Sequence, residues 1–262
     1  MMKTVWLSFL TLLFTAPLLA AEEQSPTADN PIKLVGLEIP WLLHETTPGP
    51  YNSLADQLIG TYELPAALSI QPFRRAMRSF FEGDADCLFV GGYEVALQAS
   101  RGLSLNDLIL SNPYNQMSIR AFTPESTEAI ASISELPGKR VAVDLGVGGI
   151  VRMSRFLPEI TTMIDALNVA QITSMLRQGR TEVALMMDYD YELYAARHPD
   201  QALLQFDSSL AIQTVEDAVM CKKSAATEAL VTHVNQRISA LSASGQLNQI
   251  LHPSQPASPT KK

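Results

Sequence analysis

Several places in the 262-residue chain put glycines, aromatics or charges where a small molecule can be held. Trp41 and Tyr51 flank a polar Pro/Gly loop, His44 to Pro50. Aromatic faces at such a loop stack on a ligand or pack within the domain. Gly91, Gly92 and Tyr93 follow the apolar run Cys87-Leu88-Phe89-Val90. Glycines there let a ligand approach the backbone, or simply make a tight turn. Gly146, Gly148 and Gly149 follow Val141-Ala142-Val143 and precede a helical pattern. Free N–H groups at a helix start suit an anion. The spacing G-x-G-G is not the dinucleotide fingerprint G-x-G-x-x-G. Arg75, in PFRRAM, is of the type that grips an anionic group with two hydrogen bonds, although a helix arginine is more often a solvated charge. There is no G-x-S-x-G, H-E-x-x-H or P-loop sequence. Two cysteines and four scattered histidines make no zinc pattern. No metal and no cofactor are expected.

The elements that position these residues centre on 72–92. Phe73, Ala76, Met77, Phe80 and Phe81 fall on one face of a helix that Pro72 opens and Gly83 stops. The four apolar residues from Cys87 to Val90 read as a strand buried on both faces, of the parallel kind. Ahead of it, Ile32 to Leu37 is a strand. Asn52 is a cap for a helix carrying Leu54, Leu58, Ile59 and Tyr62, and Ala66 to Ile70 is a second strand. This β-α-β-α-β order starts an α/β sheet, and ligands of such sheets lie at the carboxyl ends of the strands. Short helices are expected around 95–99 and 150–156, and a strand around 160–164. Met117 to Phe122 is an extended crossing. Val169 to Leu176 is a helix stopped by Gly179, Val183 to Met187 a buried strand, and Asp188 begins the next helix. Val215 to Cys221 is a strand. Leu230, Val234, Ile238 and Leu241 mark a closing helix. The helix-Gly-acid-strand unit occurs twice, as FFEGDADCLFV and LRQGRTEVALM, which points to two lobes built alike.

Lys3 followed by the apolar Val5 to Leu19 and by Ala20-Ala21 has the form of a cleaved signal peptide, residues 1–21. The run is short for an anchor, which needs about 20 apolar residues. The whole chain carries −8, and losing Lys3 with the signal leaves −9. An acidic chain without a Lys/Arg cluster argues against nucleic acid and anionic membranes. The tail 254–262 reads as disordered. In an oxidising compartment, Cys87 and Cys221 pair or stay as buried thiols, and their spacing does not choose.

Taken in order, these landmarks resemble those of the periplasmic solute-binding proteins of family 3, the polar amino-acid group. Pro40-Trp41 and Gly49-Pro50-Tyr51 come first. The motif in PFRRAM and Gly83 to Asp86 follow, then Asn112-Pro113-Tyr114, Ser134 to Val143, Gly179 to Glu182, and the closing Asn235, Leu241, Gly245 and Ile250. The resemblance covers nearly the whole chain after the signal. It implies an α/β, two-lobed periplasmic binding protein type II fold, each lobe a mixed sheet flanked by helices. Lobe one would be 30–117 plus 213–253, and lobe two 118–212. Cys87 and Cys221 would then lie in neighbouring strands, and a disulfide is expected. A small polar ligand, amino-acid-like or a related carboxylate, would sit between the lobes. Asp188 would hold its amine, with Asp190 as competitor. Tyr114 would be a hinge or ligand residue. Two departures stand out. The stretch Ser100 to Leu108 lacks the family's Thr-x-x-Arg pattern, leaving Arg101 with weak positional support. The loop Gly146 to Ile150 lacks the family's hydroxyl residues. It also lacks the acidic residue that dehydratase relatives use, so the resemblance implies binding and not catalysis. The implied partner is an inner-membrane ABC permease or, alternatively, a membrane sensor. The protein is expected to be a periplasmic monomer.

Overall fold

The computed structural model describes residues 26–92, 104–144, 146–147 and 162–253. The signal segment, both short helices expected at 95–99 and 150–156, Tyr93, Arg101, Gly148, Gly149 and the tail 254–262 lie outside the described residues. Among those described, no helix is long and apolar enough to cross a membrane.

The chain begins with β1 (Ile32–Leu37), α1 (Pro50–Leu58), β2 (Ala66–Gln71), α2 (Phe73–Glu82) and β3 (Cys87–Gly91). β1 pairs in parallel with β2 and with β3. Every residue of β3 is buried, as an apolar run between two helical layers requires. Gly83 ends α2 with φ 98°, in the left-handed region that costs glycine nothing. A short β4 (Leu108–Leu110) follows, then β5 (Asn115–Phe122), β6 (Arg140–Asp144), β7 (Thr162–Ala166), α3 (Val169–Arg177), β8 (Val183–Met187) and α4 (Asp188–Arg197). β9 (Gln213–Lys222), α5 (Ala225–Ala243) and α6 (Gln246–Leu251) return the chain to its start.

Two long strands join the halves. β9 pairs antiparallel with β5 from Asn115↔Asp217 to Ile119↔Gln213, and its second half pairs with β3 and β4. β5 runs on to pair with β8, which is parallel to β6, as β6 is to β7. The strand order is therefore β2-β1-β3-β9-β5-β8-β6-β7, with β4 beside β9. The expected parallel start is present, and antiparallel β9 makes the sheet mixed, as the resemblance implied. Cys87 and Cys221 stand opposite each other in the β3–β9 pair and form a disulfide.

The link from β1 to α1 shapes the front of the molecule. Ile39 donates to Leu43 O and receives from it, while Tyr51 N–H donates to Leu42 O at 2.9 Å. Asn52 is not the first cap residue of α1. It sits one turn in, and its Oδ1 accepts from Gly49 N–H at 2.9 Å and His44 N–H at 3.1 Å. A Cβ on Gly49 would lie 2.0 Å from the Trp41 carbonyl oxygen and 2.6 Å from that of Leu42. Both neighbours are backbone, so neither can rotate away. Gly49→Ala is expected to cost about 1–3 kcal/mol or more, lowering the thermal midpoint by roughly 2–10 °C. A scanning-calorimetry midpoint equal to that of the parent would show that the loop yields freely.

Candidate ligand-binding site

Trp41 is the one described non-glycine residue with positive φ, at 66°. A bulky residue there is strained by about 1–3 kcal/mol, and such strain gathers at clamps and switches. The hydrogen-bonded loop around Gly49 holds it. The indole leaves its own half of the molecule and packs 5.5 Å from the Tyr194 ring and 5.8 Å from His198 of α4. Tyr194 and His198 stack on each other at 4.1 Å. Trp41 thus bridges the two halves.

Beneath it lies a cavity of about 150 Å³. One wall is Leu37 to Leu42 with Phe73 and Val90. The floor is Met117, Val215, Glu216 and Asp217 of the joining strands. The other wall is Asp144, Gly146, Val147, Leu167 to Val169, Met187 and Asp190. The cavity is mostly apolar, with the carboxylates of Glu38, Asp144, Asp190, Glu216 and Asp217 on its lining.

Asp144 ends β6 and turns back on the chain that follows. Its Oδ1 accepts from Val147 N–H at 2.7 Å, and Gly146 N–H also bonds the carboxyl group. Burial raises its pKa, and these N–H groups oppose the rise. The N–H groups that an anionic ligand would use at Gly146 are therefore engaged by an internal carboxylate. Asp217 lies on β9. Its Oδ2 accepts from the Tyr51 hydroxyl at 2.6 Å, and that hydroxyl accepts from Asn115 Nδ2 at 2.7 Å. Asp190 lies in the first turn of α4. Its Oδ1 is fully buried without a hydrogen-bond partner among the described residues. Burial pushes its pKa well above the usual carboxylate range, and Asp144, Asp217 and Asp188 push it further.

The residues singled out from sequence separate into two groups. Trp41 and Gly146 line the cavity. Tyr51 is wholly buried behind it and holds Asp217. Tyr114 is buried against Tyr51 and Phe89, and its hydroxyl donates to Phe89 O at 2.6 Å. Arg75 is exposed on α2 and is not part of the wall. Gly91 serves packing, since a Cβ there would meet Met220 Cβ at 2.9 Å. Gly92 lines a second hollow, behind the joining strands with Ser111, Gln116 and Thr214. Asp188, expected to face the ligand, is instead engaged. Its Oδ1 accepts from Ser118 N–H at 2.9 Å and Tyr189 N–H at 3.0 Å, and its Oδ2 meets Arg120 Nε at 3.2 Å. It ties β5 to α4, and its competitor Asp190 takes the cavity wall. Asp144 and Asp217 were not singled out. An aspartate is depleted in strands, so Asp217 inside an otherwise strand-like run was a readable signal.

No family model matches the chain, and no match is found among curated proteins. Solved structures do match. The GluR0 ligand-binding core in complex with L-glutamate superposes with a TM-score of 0.68 at 13% identity, over 86% of this chain and 98% of that one. The chain has the two-lobed, type II periplasmic binding-protein fold. An amino acid ABC transporter substrate-binding protein, AbpA from Streptococcus pneumoniae bound to L-arginine, gives 0.65 at 18% identity, over 85% and 94%. The Bordetella pertussis BvgS VFT2 domain gives 0.66 at 19%, over 86% and 94%. β5 and β9 run between the two halves of the sheet, and the cavity under Trp41 is walled by residues from both halves.

Proposed function

We propose that the chain is a periplasmic solute-binding protein of the family 3 kind, which holds a small polar solute between its lobes. The observation that carries the reading is the cleft itself. Both lobes and both joining strands wall it, and strained Trp41 spans it. A ligand touching both walls favours the closed arrangement over the open one by its differential contacts. The joining strands near 114–119 and 210–215 take up the change in backbone angles. Export through the segment 1–21 accords with the disulfide, since such bonds persist in oxidising compartments. Delivery to an inner-membrane ABC permease is the first reading of the partner. A membrane sensor is the second, with the same chemistry in the cleft.

A thermal-shift screen tests this. The mature protein is refolded to remove carried solute and exposed to amino acids, amines, carboxylates, peptides and sugars. A ligand at 100 times its dissociation constant adds about 2.7 kcal/mol, a rise of roughly 5–10 °C for a chain of this size. No rise with any class would sink the reading.

A further inference from the structure

Trp41 belongs by sequence to the link between β1 and α1, yet its side chain packs with the other half of the sheet. The buried apolar side chains form two clusters, and the buried members of the second run from Phe122 to Leu204. Among the described residues, Trp41 is the one side chain from outside that range packed against it. The next two residues, Leu42 and Leu43, are buried in the first cluster. The positive φ at Trp41 comes where the chain turns one side chain away from them. We propose that the Trp41 indole is a latch: seated on α4 it holds the two walls of the cavity together, and its withdrawal lets them part to admit or release solute. This rests on the solute-binding reading above and adds the device that regulates the same site.

Three features fit a latch better than fixed packing. The seat is held by its own hydrogen bonds. The Tyr194 hydroxyl donates to Gln201 Oε1 at 2.8 Å, and His198 Nδ1 donates to Tyr194 O at 2.8 Å, so both rings keep their places without the indole. The indole itself is only half-buried, so it can leave the seat without either core unfolding. The backbone strain at Trp41 opposes the ring contacts that seat it, which lowers the cost of leaving. A seated and a withdrawn arrangement not far apart in free energy are what a population shift requires.

Alkylation of a thiol placed on the cavity floor tests this. Met117→Cys supplies one free thiol there, since Cys87 and Cys221 are bonded to each other. In a second protein, Val234→Cys supplies one on α5, in the first core and off the cavity wall. Each is exposed to iodoacetamide with Trp41 in place and again with Trp41→Gly, a change the backbone accepts because glycine adopts positive φ without cost. Trp41→Gly is expected to speed alkylation of the Met117→Cys protein about tenfold, the scale of losing two aromatic contacts. Alkylation of the Val234→Cys protein should not change. An unchanged rate at position 117 overturns the latch and leaves the solute-binding reading standing, which the thermal-shift screen decides separately. Equal acceleration at both positions reduces the effect to general loosening and also overturns the latch.

Discussion

The Cys87→Ala, Cys221→Ala double variant is expected to lose about 2–5 kcal/mol of stability. The bond closes a loop across a sequence separation of 134 residues, and the entropy it removes from the unfolded chain grows with that length. It joins β3, early in the chain, to β9, which follows α4 late in the chain. Without it, those two chain segments are held by strand pairing and side-chain packing alone. Both sulfurs are fully buried, so the two alanines also leave small voids in the core. The thermal midpoint should fall by roughly 5–20 °C. Calorimetry of the double variant beside the parent, each with and without reductant, measures this. An unchanged midpoint in the double variant would remove the bond from the list of stabilising features.

The second large effect concerns Asp190 in the ligand-free protein. An ordinary aspartate in the unfolded chain titrates near about 3.9. In the folded chain burial and the neighbouring carboxylates raise the Asp190 pKa well above that. The native state therefore holds the proton more tightly than the unfolded state does. The stabilisation is complete at pH values below the unfolded pKa. It is lost as pH rises through the folded pKa. Asp144, also raised, adds in the same direction. The groups that couple to Asp190 are Asp144 on β6, Asp217 on β9 and Asp188 on α4 itself. Arg120 faces Asp188. The buried hydroxyls of Tyr51 and Tyr114 stay protonated, since burial and Asp217 raise both. The parent's midpoint should thus decline as pH rises from mild acid to neutrality and beyond. Asp190→Asn should flatten that decline. It should be the more stable protein at neutral pH by about 1–3 kcal/mol, the scale of a buried polar group without a partner. Midpoints measured across that range decide the matter, and a parent curve that rises with pH contradicts the sign.

How much of this was readable in advance differs from residue to residue. The apolar stripe of α2, the stop at Gly83 and the run Cys87 to Val90 follow from period and turn chemistry alone, and the structure has them there. β4 did not show itself. Three residues after a short turn have no period, and their strand character comes from pairing with β9. Asp188 and Asp190 illustrate the limit at the site. Two residues apart on a helix, they point about 200° away from each other. Which one faces the cleft depends on how α4 is rotated against β5, and the bonds from Ser118 and Arg120 set that rotation. Asp144 and Asp217 meet Asp190 only through the order of the strands. Gly91 shows the converse. Its sequence context suited ligand approach, yet its want of a side chain is explained by Met220 across the β3–β9 pair.

The position of the disulfide also fixes how the molecule carries a pulling force. The described chain runs from β1 to α6, and Cys87 and Cys221 lie on either side of everything between β3 and β9. Tension applied to the two ends runs through β1 to β3, crosses the sulfur–sulfur bond, and leaves through α5 and α6. β5 to β8, and the part of the cavity wall that they carry, sit on a branch that bears no load. A mechanically stretched molecule would withhold about 450 Å of contour length, at roughly 3.3–3.6 Å for each enclosed residue. Reduction would put that length back into the path of the force.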